Sequence, residues 1–429
     1  MRTPKQAPTR LIDRGRVAAP AEERLDWRFK AVPAAAWGRT AAEYLATGPT
    51  LDDLATPLVT LDAGALDHNL ATMARWCAEA GVGLAPHGKT TMAPALWQRQ
   101  LDAGAVAITL ANLPQVNVGL AFGLRAVHLA NTLLDPAGLR RISATAAADP
   151  GFRFASWVDS TRSVELMDEA LRGAPAPVDV CVELGAPGAR TGCRTLEEAR
   201  AVARAVHAAP GLRLTGVSGY EGAVAHDARA DSLAAVARYL TDLGGLHRML
   251  DAEGLFDQAE QVWITAGGSA YFDTVTELLA PLADDRTRVV LRSGAYLAHD
   301  DGFYRGISPL ARTAGATPFR SALHGWTRVV SRPEPGLALL DGGKRDLSYD
   351  EGLPEPQLIR GKGPLTSGRI TALNDQHAYL RDTEVEVGDI VRLGLSHPCT
   401  VFDKWTMLPV LDSADAELPR VVDLVRTYF

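Results

Sequence analysis

The stretch Ala85-Pro86-His87-Gly88-Lys89-Thr90-Thr91 offers an amine where an enzyme would use one. It follows the short apolar run Val82-Gly83-Leu84-Ala85 and precedes a helical pattern with Ala93, Leu96, Trp97 and Leu101. Lys89 therefore falls where a strand gives way to a helix, the position of catalytic groups in α/β folds. A lysine held there against walls of low polarity loses its proton near neutral pH and becomes a nucleophile able to form a Schiff base. Taken alone, the stretch favours the plainer reading of an exposed loop lysine. A second candidate is Thr265-Ala266-Gly267-Gly268-Ser269, ahead of a helical pattern with Val275 and Leu278. Its two glycines let the backbone approach a ligand, and the helix start behind them presents free N–H groups to an anion such as a phosphate. By itself Gly-Gly-Ser is a turn; its position relative to Lys89 gives it weight. The third candidate is His397-x-Cys399. On a strand, residues i and i+2 share a side, so an imidazole and a thiolate would converge on one ion, and both suit zinc. Structural zinc sites use four ligands, so without other information this pair reads as chance.

The elements that must position these residues follow from the rest of the chain. Its 429 residues exceed one ordinary domain and suggest two, one of them a barrel. Short β-rich runs begin near Val82, Ala105, Ala126, Phe152, Val178, Leu212, Gln261 and Arg288, with helical periodicity between them, as in Leu196–Ala208 and Leu233–Ala252. Strands alternating with helices imply βαβ units and a parallel sheet. Eight of them in roughly 210 residues predict a (β/α)8 barrel, with an open doubly wound sheet as the alternative. In the barrel, Lys89 ends the first strand and the Gly-Gly-Ser turn ends the seventh, where barrels often hold a phosphate. After about Tyr304 the helical pattern stops. The segments Leu323–Val330, Leu337–Leu340, Gly368–Leu373, Ala378–Leu380, Ile390–Leu393 and Met407–Val410 are short and punctuated by turns such as Pro333-Glu334-Pro335-Gly336. They predict an all-β domain. The expected organisation is an N-terminal arm over 1–55 that packs on the body through Trp27, Phe29, Trp37 and Tyr44, a barrel over 56–304 and a β-domain over 305–429.

Composition narrows the partner. With 44 Lys and Arg against 51 Asp and Glu, the net charge of −7 provides no basic field for nucleic acid or an anionic membrane. Four dispersed cysteines form no disulfide framework and point to a reducing, cytoplasmic setting. No apolar run is long enough to span a membrane, and Met1 to Arg16 lacks the apolar middle of a secretory signal. A small molecule is the expected partner.

A lysine nucleophile and a phosphate cup in one barrel describe a pyridoxal phosphate site, or an aldolase that forms its imine directly with a phosphorylated sugar. The chain also shows Thr56-Pro57-Leu58-Val59-Thr60-Leu61-Asp62, the run from Glu183-Leu184-Gly185 to Arg190-Thr191-Gly192, Tyr220-Glu221-Gly222 and Ser396-His397-Pro398-Cys399. With Pro-His-Gly-Lys-Thr and the Gly-Gly-Ser turn, these resemble the alanine-racemase-fold (fold type III) pyridoxal enzymes of the D-serine dehydratase and D-threonine aldolase group, from about residue 56 to the C-terminus. The resemblance implies that Lys89 carries the cofactor and that His87 lies beside it. Gly267, Gly268 and Ser269 would bind the phosphate with the backbone around Gly294 and the Tyr296 hydroxyl, Arg190 would flank the ring and Tyr220 would line the pocket. The plainer readings are a surface ion pair for Arg190 and core packing for Tyr220. His397 and Cys399 would hold Zn2+ or another divalent cation, with Cys399 matching the dehydratase branch where the aldolase branch has Asp. His377 would serve proton transfer near the metal, unless it is simply a loop histidine. The turn continues Ala270-Tyr271 where the group has Thr-Pro, which leaves individual phosphate contacts open.

The expected activity is loss of water from a D-β-hydroxy amino acid to give a 2-oxo acid and ammonia, in a homodimer. D-threonine aldolase chemistry and racemisation are the rivals within the group. A non-catalytic pyridoxal phosphate carrier is the rival outside it, and would have no need of a second β-domain.

Overall fold

The computed structural model describes residues 10–429. The chain divides into two compact units, one of residues 10–13, 74–89 and 100–294, the other of residues 14–73, 90–99 and 295–429.

The first unit is a parallel barrel. Its strands are Gly83–Leu84, Ile108–Leu110, Ala126–Leu129, Arg153–Val158, Val178–Leu184, Leu212–Gly219, Val262–Ala266 and Thr287–Leu291, each paired in parallel with its neighbour in sequence except between the first two. That gap is closed by the Val106 N–H on Leu84 O (2.8 Å), the Thr109 N–H on Pro86 O (2.9 Å) and a parallel bridge between His87 and Thr109. The ring returns on itself through residues adjoining Lys89. The strands are rich in Val, Leu and Ile because both of their faces are covered. The helices between them show how the amphipathic pattern works. Leu196–Ala208 is capped by the Thr195 hydroxyl on the Glu198 N–H and buries Ala199, Val202, Ala203 and Val206, a single stripe at helical spacing.

The second unit is built on a ten-stranded sheet, antiparallel but for one pair. Leu58–Asp62 lies in its middle, antiparallel to Leu323–Glu334 and parallel to Met407–Leu411. Residues 56–62 thus belong to the β-unit and not to the barrel. The strand itself was legible, but its partners lie more than 260 residues away and no local pattern names them. Trp326 fixes the register by donating its indole N–H to Thr60 Oγ1 (2.9 Å) in the interior. Three further strands, Glu355–Ile359, Gly363–Pro364 and Val421–Arg426, were not expected, nor were the short helices Phe303–Ile307, Pro309–Arg312 and Cys399–Phe402. Of the proposed arm, residues 1–9 lie outside the described residues. Beyond them, Leu25, Phe29, Val32, Ala36, Ala41 and Tyr44 form one buried cluster with Met407, while Trp27 and Trp37 are exposed. Among the described residues no helix is long and apolar enough to cross a membrane.

Barrel closure leaves little slack at Gly216. The ladder between Val178–Leu184 and Leu212–Gly219 slips by one residue there, and a Cβ on Gly216 would lie 2.1 Å from the Trp263 carbonyl oxygen. Gly216→Ala is expected to destabilise the protein by about 1–3 kcal/mol through overpacking, read as a lower urea midpoint with unchanged slope.

Candidate active site

Lys89 sits in a short turn, Gly88–Thr90, directly after the first barrel strand, and is half-buried. Beside it the His87 N–H donates to Arg292 O (3.1 Å), which locks the histidine to the end of the last strand. Its Nδ1 is fully enclosed with no hydrogen-bond partner. Burial, reinforced by the charges of Lys89 and Arg292, holds this imidazole neutral, well below the ordinary histidine range. Gly294 packs on the same residue: a Cβ there would fall 2.4 Å from the His87 carbonyl oxygen, so only glycine fits.

The Gly-Gly-Ser turn follows the strand Val262–Ala266, with Gly267 at φ +90°. Its first two N–H groups are already taken. Gly267 donates to Glu221 Oε2 (3.0 Å) and Gly268 to Glu221 Oε1 (2.6 Å), so a carboxylate from within the chain occupies the place where a phosphate was expected to meet them. Ser293 Oγ donates to the carbonyls of both glycines (3.1 Å each). Ser269, half-buried, is the next residue toward the helix Phe272–Leu279. Arg190, in the loop after Val178–Leu184, lies with its guanidinium 4.8 Å above the Tyr220 ring. The Tyr220 ring in turn lies 3.2 Å from where a Gly268 Cβ would be. Arg190, Tyr220 and Gly268 therefore form one continuous wall.

Three charged residues of this region escaped sequence reasoning. Arg292 is buried, donating to Thr265 Oγ1 (2.8 Å) and Gly219 O (2.5 Å), with its guanidinium 4.9 Å over the Trp157 ring. Burial pulls its pKa down, opposed first by Glu221 and then by Tyr239 and Glu183. Glu183 is itself pushed up by burial, against a hydrogen bond from the Thr191 hydroxyl (2.9 Å). The available signal was a charge at the end of an apolar strand, in Val-Val-Leu-Arg and Cys-Val-Glu-Leu, where unpaired charges are rare.

In the second unit, His397 and Cys399 are not two positions on one face of a strand. The strand Ile390–Gly394 ends before them, His397 adopts φ +55°, Pro398 is helical and Cys399 opens a four-residue helix. Pro398 lacks the N–H a ladder needs and instead closes a turn. The turn still leaves Cys399 close enough to act on the charge of the His397 imidazole. Asp300 holds it by accepting the N–H of His397 (2.9 Å) as well as those of Gly302 and Tyr304 (3.0 and 2.8 Å). Asp350 pairs with His397 Nδ1 (2.6 Å) and accepts from the Thr400 hydroxyl (2.6 Å). The Thr90 hydroxyl lies 3.2 Å from Cys399 Sγ. Burial alone would lower the His397 pKa; Cys399 and Asp350 outweigh it and raise it to about 9. Among the described residues no three metal-ligating side chains cluster. One nitrogen and one sulfur donor therefore remain, a set that suits a zinc-like ion with open positions. His377 lies elsewhere, exposed in the turn between Arg369–Leu373 and Ala378–Arg381, with its carbonyl accepting the Asn374 N–H. Tyr296 is buried, its ring 5.8 Å from that of Phe319.

Residues 61–274 match the family of the alanine racemase N-terminal domain, and residues 322–411 match the putative serine dehydratase domain. The chain is an alanine-racemase-fold protein. It carries the scaffold of the fold type III pyridoxal phosphate enzymes. A D-threonine aldolase from an Arthrobacter species is 27% identical over 363 residues, 83% of this chain and 89% of that one. The crystal structure of a D-threonine aldolase from Filomicrobium marinum superposes with a TM-score of 0.74 at 25% identity, covering 89% of this chain and 97% of that one. Two variants of a D-threo-3-hydroxyaspartate dehydratase share the fold. One has a cysteine replaced by alanine and is in a metal-free form (TM-score 0.71, 21% identity, 89% of this chain and 99% of that one), the other has the histidine two residues earlier replaced by alanine (TM-score 0.72, 20% identity, 90% of this chain and 98% of that one).

Two expectations follow for this alanine-racemase-fold protein. Glu221→Ala leaves two N–H groups and the Arg292 charge without their carboxylate, at about 1.5–3 kcal/mol for such charge-assisted bonds; the melting temperature and the affinity for pyridoxal phosphate should fall together. The raised His397 pKa stabilises the metal-free fold fully below the unfolded value of about 6.5, and this contribution is lost as pH rises through about 9. Urea midpoints of metal-free protein measured between those limits should decline, and Asp350→Asn should flatten the decline.

Proposed function

We propose that this protein is a lyase of D-β-hydroxy amino acids that uses pyridoxal phosphate at Lys89 and a divalent cation, zinc by its donor set, at His397 and Cys399, and that it eliminates water. The pair His397-x-Cys399 carries the reading. Its imidazole and thiol share one short turn, and the hydroxyl of Thr90, the residue following Lys89, lies 3.2 Å from the sulfur. The same histidine-to-cysteine spacing separates the two residues replaced in the dehydratase variants, one of which is metal-free.

The residues present fit the cofactor. The enclosed Nδ1 of His87 has no hydrogen-bond partner among the described residues, while Gly268 and Gly294 let the backbone pack closely on Tyr220 and on His87. Because Glu221 holds the first two N–H groups of the turn, Ser269 is the member of the turn left to meet the phosphate. When bound, pyridoxal phosphate supplies an electron sink for a carbanion at Cα, and a divalent cation supplies a Lewis acid for the β-oxygen. Lys89 Nζ is the base for the α-proton. The neutral His87 adds no further positive charge beside it. Arg190, fixed by its stack on Tyr220, gives the wall a permanent cation for an anionic group of the substrate or cofactor. Asp350 turns the His397 ring and Thr90 sets the Cys399 sulfur. Departure of the β-hydroxyl with the α-proton yields water and an enamine, which hydrolyses to the 2-oxo acid and ammonia.

A second reading, cleavage between Cα and Cβ, is supported by the D-threonine aldolase likeness over most of the chain. Product analysis separates the two. With D-serine, D-threonine and D-3-hydroxyaspartate, elimination releases a 2-oxo acid and ammonia, whereas cleavage releases glycine and an aldehyde. Lys89→Ala should remove the visible absorbance of bound cofactor and lower turnover by at least about a hundredfold. A chelator should abolish turnover and zinc restore it; activity indifferent to chelation would take His397 and Cys399 out of the reaction.

A further inference from the structure

The barrel has a second opening, at the N-terminal ends of its strands. A cavity of about 500 Å³ lies there, walled by apolar side chains such as Val106, Ala107, Ala126, Ile142, Phe152 and Phe154. That volume lies within the range of small-molecule sites, about 300–1,000 Å³. The lyase reading makes no use of it.

One polar group is enclosed on its wall. His128 is 1% exposed, lines the cavity and stacks on Trp263, with ring centroids 5.8 Å apart at 29°. Its Nε2 lies 2.8 Å from Trp157 Nε1. An indole N–H can only donate, so His128 Nε2 is the acceptor and the ring proton resides on Nδ1. Burial keeps the ring neutral, its pKa pulled down to about 3, with Arg292 adding to the effect. The Nδ1–H is buried and has no hydrogen-bond partner. A buried donor left unpaired is costly, and this one borders a space large enough for its acceptor. At the rim the charges are Arg153, Arg213 and Arg288 against Asp179 and Glu260. Asp179 is engaged by Arg213 at 2.7 Å, whereas Arg153 and Arg288 make no ion pair with any described residue. The cavity therefore combines a dry wall with one donor inside and, among its lining residues, two cations with no carboxylate at salt-bridge distance: Arg153, which donates to the Pro150 and Phe152 carbonyls, and Arg288.

We propose that this cavity is a second ligand site, for a flat apolar carboxylate that carries a neutral acceptor, a ketone or hydroxyl oxygen, at the end opposite its charge. The acceptor takes the His128 Nδ1–H, the apolar body lies along Trp263 and Phe154, and the carboxylate stays at the rim with Arg153 and Arg288. A deep carboxylate is disfavoured because one neutral N–H does not offset the loss of its hydration.

The full-length protein is titrated by calorimetry with 4-acetylbenzoate and with 4-isopropylbenzoate, which has the same shape without the acceptor. The ketone should bind one to one and at least tenfold more tightly, and His128→Phe should erase the difference. Arg288→Gln should weaken both acids to the same degree, three- to tenfold. Ala146→Trp, on the half-buried face of the helix Pro136–Ala148 beside the cavity, should abolish binding of both with an unchanged melting temperature. Equal affinity for the two acids, absence of binding, or binding that survives Ala146→Trp would overturn the proposal. If His128→Phe fails to fold, the preference of the wild type for the ketone and its loss in Ala146→Trp still decide.

Discussion

Arg292 is a positive charge sealed inside the barrel, and much of the upper barrel is arranged to make it tolerable. Removing a guanidinium from water costs several kcal/mol unless its donors and its charge are both met. Its donors reach Thr265 and the Gly219 carbonyl, on two different strands, and its flat face lies over Trp157 on a third. Its charge is met chiefly by Glu221. Glu221 spends both oxygens on Gly267 and Gly268, so the carboxylate that offsets this charge also sets the turn ahead of the helix Phe272–Leu279. Through its own carbonyl Arg292 holds the His87 N–H, two residues from Lys89. One buried cation thus fixes the glycine turn and the approach to the lysine, which otherwise share no strand.

The second unit solves a similar problem without a buried cation. A histidine at positive φ is strained by the standards of ordinary residues, and His397 keeps that conformation because Asp300 takes its N–H from one side and Asp350 takes its ring from the other. Two carboxylates from separate loops define the direction of one imidazole. Cys399 follows at the start of a short helix, where its sulfur lies beside the Thr90 hydroxyl. The convergence expected of a strand is reached by a turn, at a place where Pro398 forbids the ladder.

What sequence could show and what it could not divide along this line. All eight barrel strands lie where alternating patterns place them, because parallel strands covered on both faces must be apolar and the helices between them must carry one apolar stripe. Lys89 and the Gly-Gly-Ser turn were readable for the same reason, each sitting at a strand end. The placement of Leu58–Asp62 was not readable, since it depends on pairing with Leu323–Glu334 across the whole barrel sequence. Arg292, Glu221 and Asp300 were missed because each acts through contacts with distant segments and carries no motif of its own. The capture of the Gly267 and Gly268 N–H groups by Glu221 could not be foreseen, although Glu221 stood in a motif quoted for its tyrosine. His377, read either as a proton-transfer group or as a loop histidine, lies exposed in a hairpin turn.

The interior of the barrel is polar along a line that layered aliphatic packing would not produce. From the lower cavity upward, His128 accepts from Trp157, Trp157 carries Arg292 on its ring, and Arg292 faces Glu221 and the glycine turn. Each step is directional, since an indole N–H has one axis and a guanidinium prefers one face of a ring. The His128 ring and the Arg292 guanidinium thus rest on the same indole. The cavity beneath His128 and the residues beside Lys89 are in this sense two ends of one rigid column. Such a column resists small displacements because every member is hydrogen-bonded or stacked on both sides except the Nδ1–H at its foot. That loose end belongs to a residue that lines the lower cavity, at the far end of a chain that leads to the glycine turn.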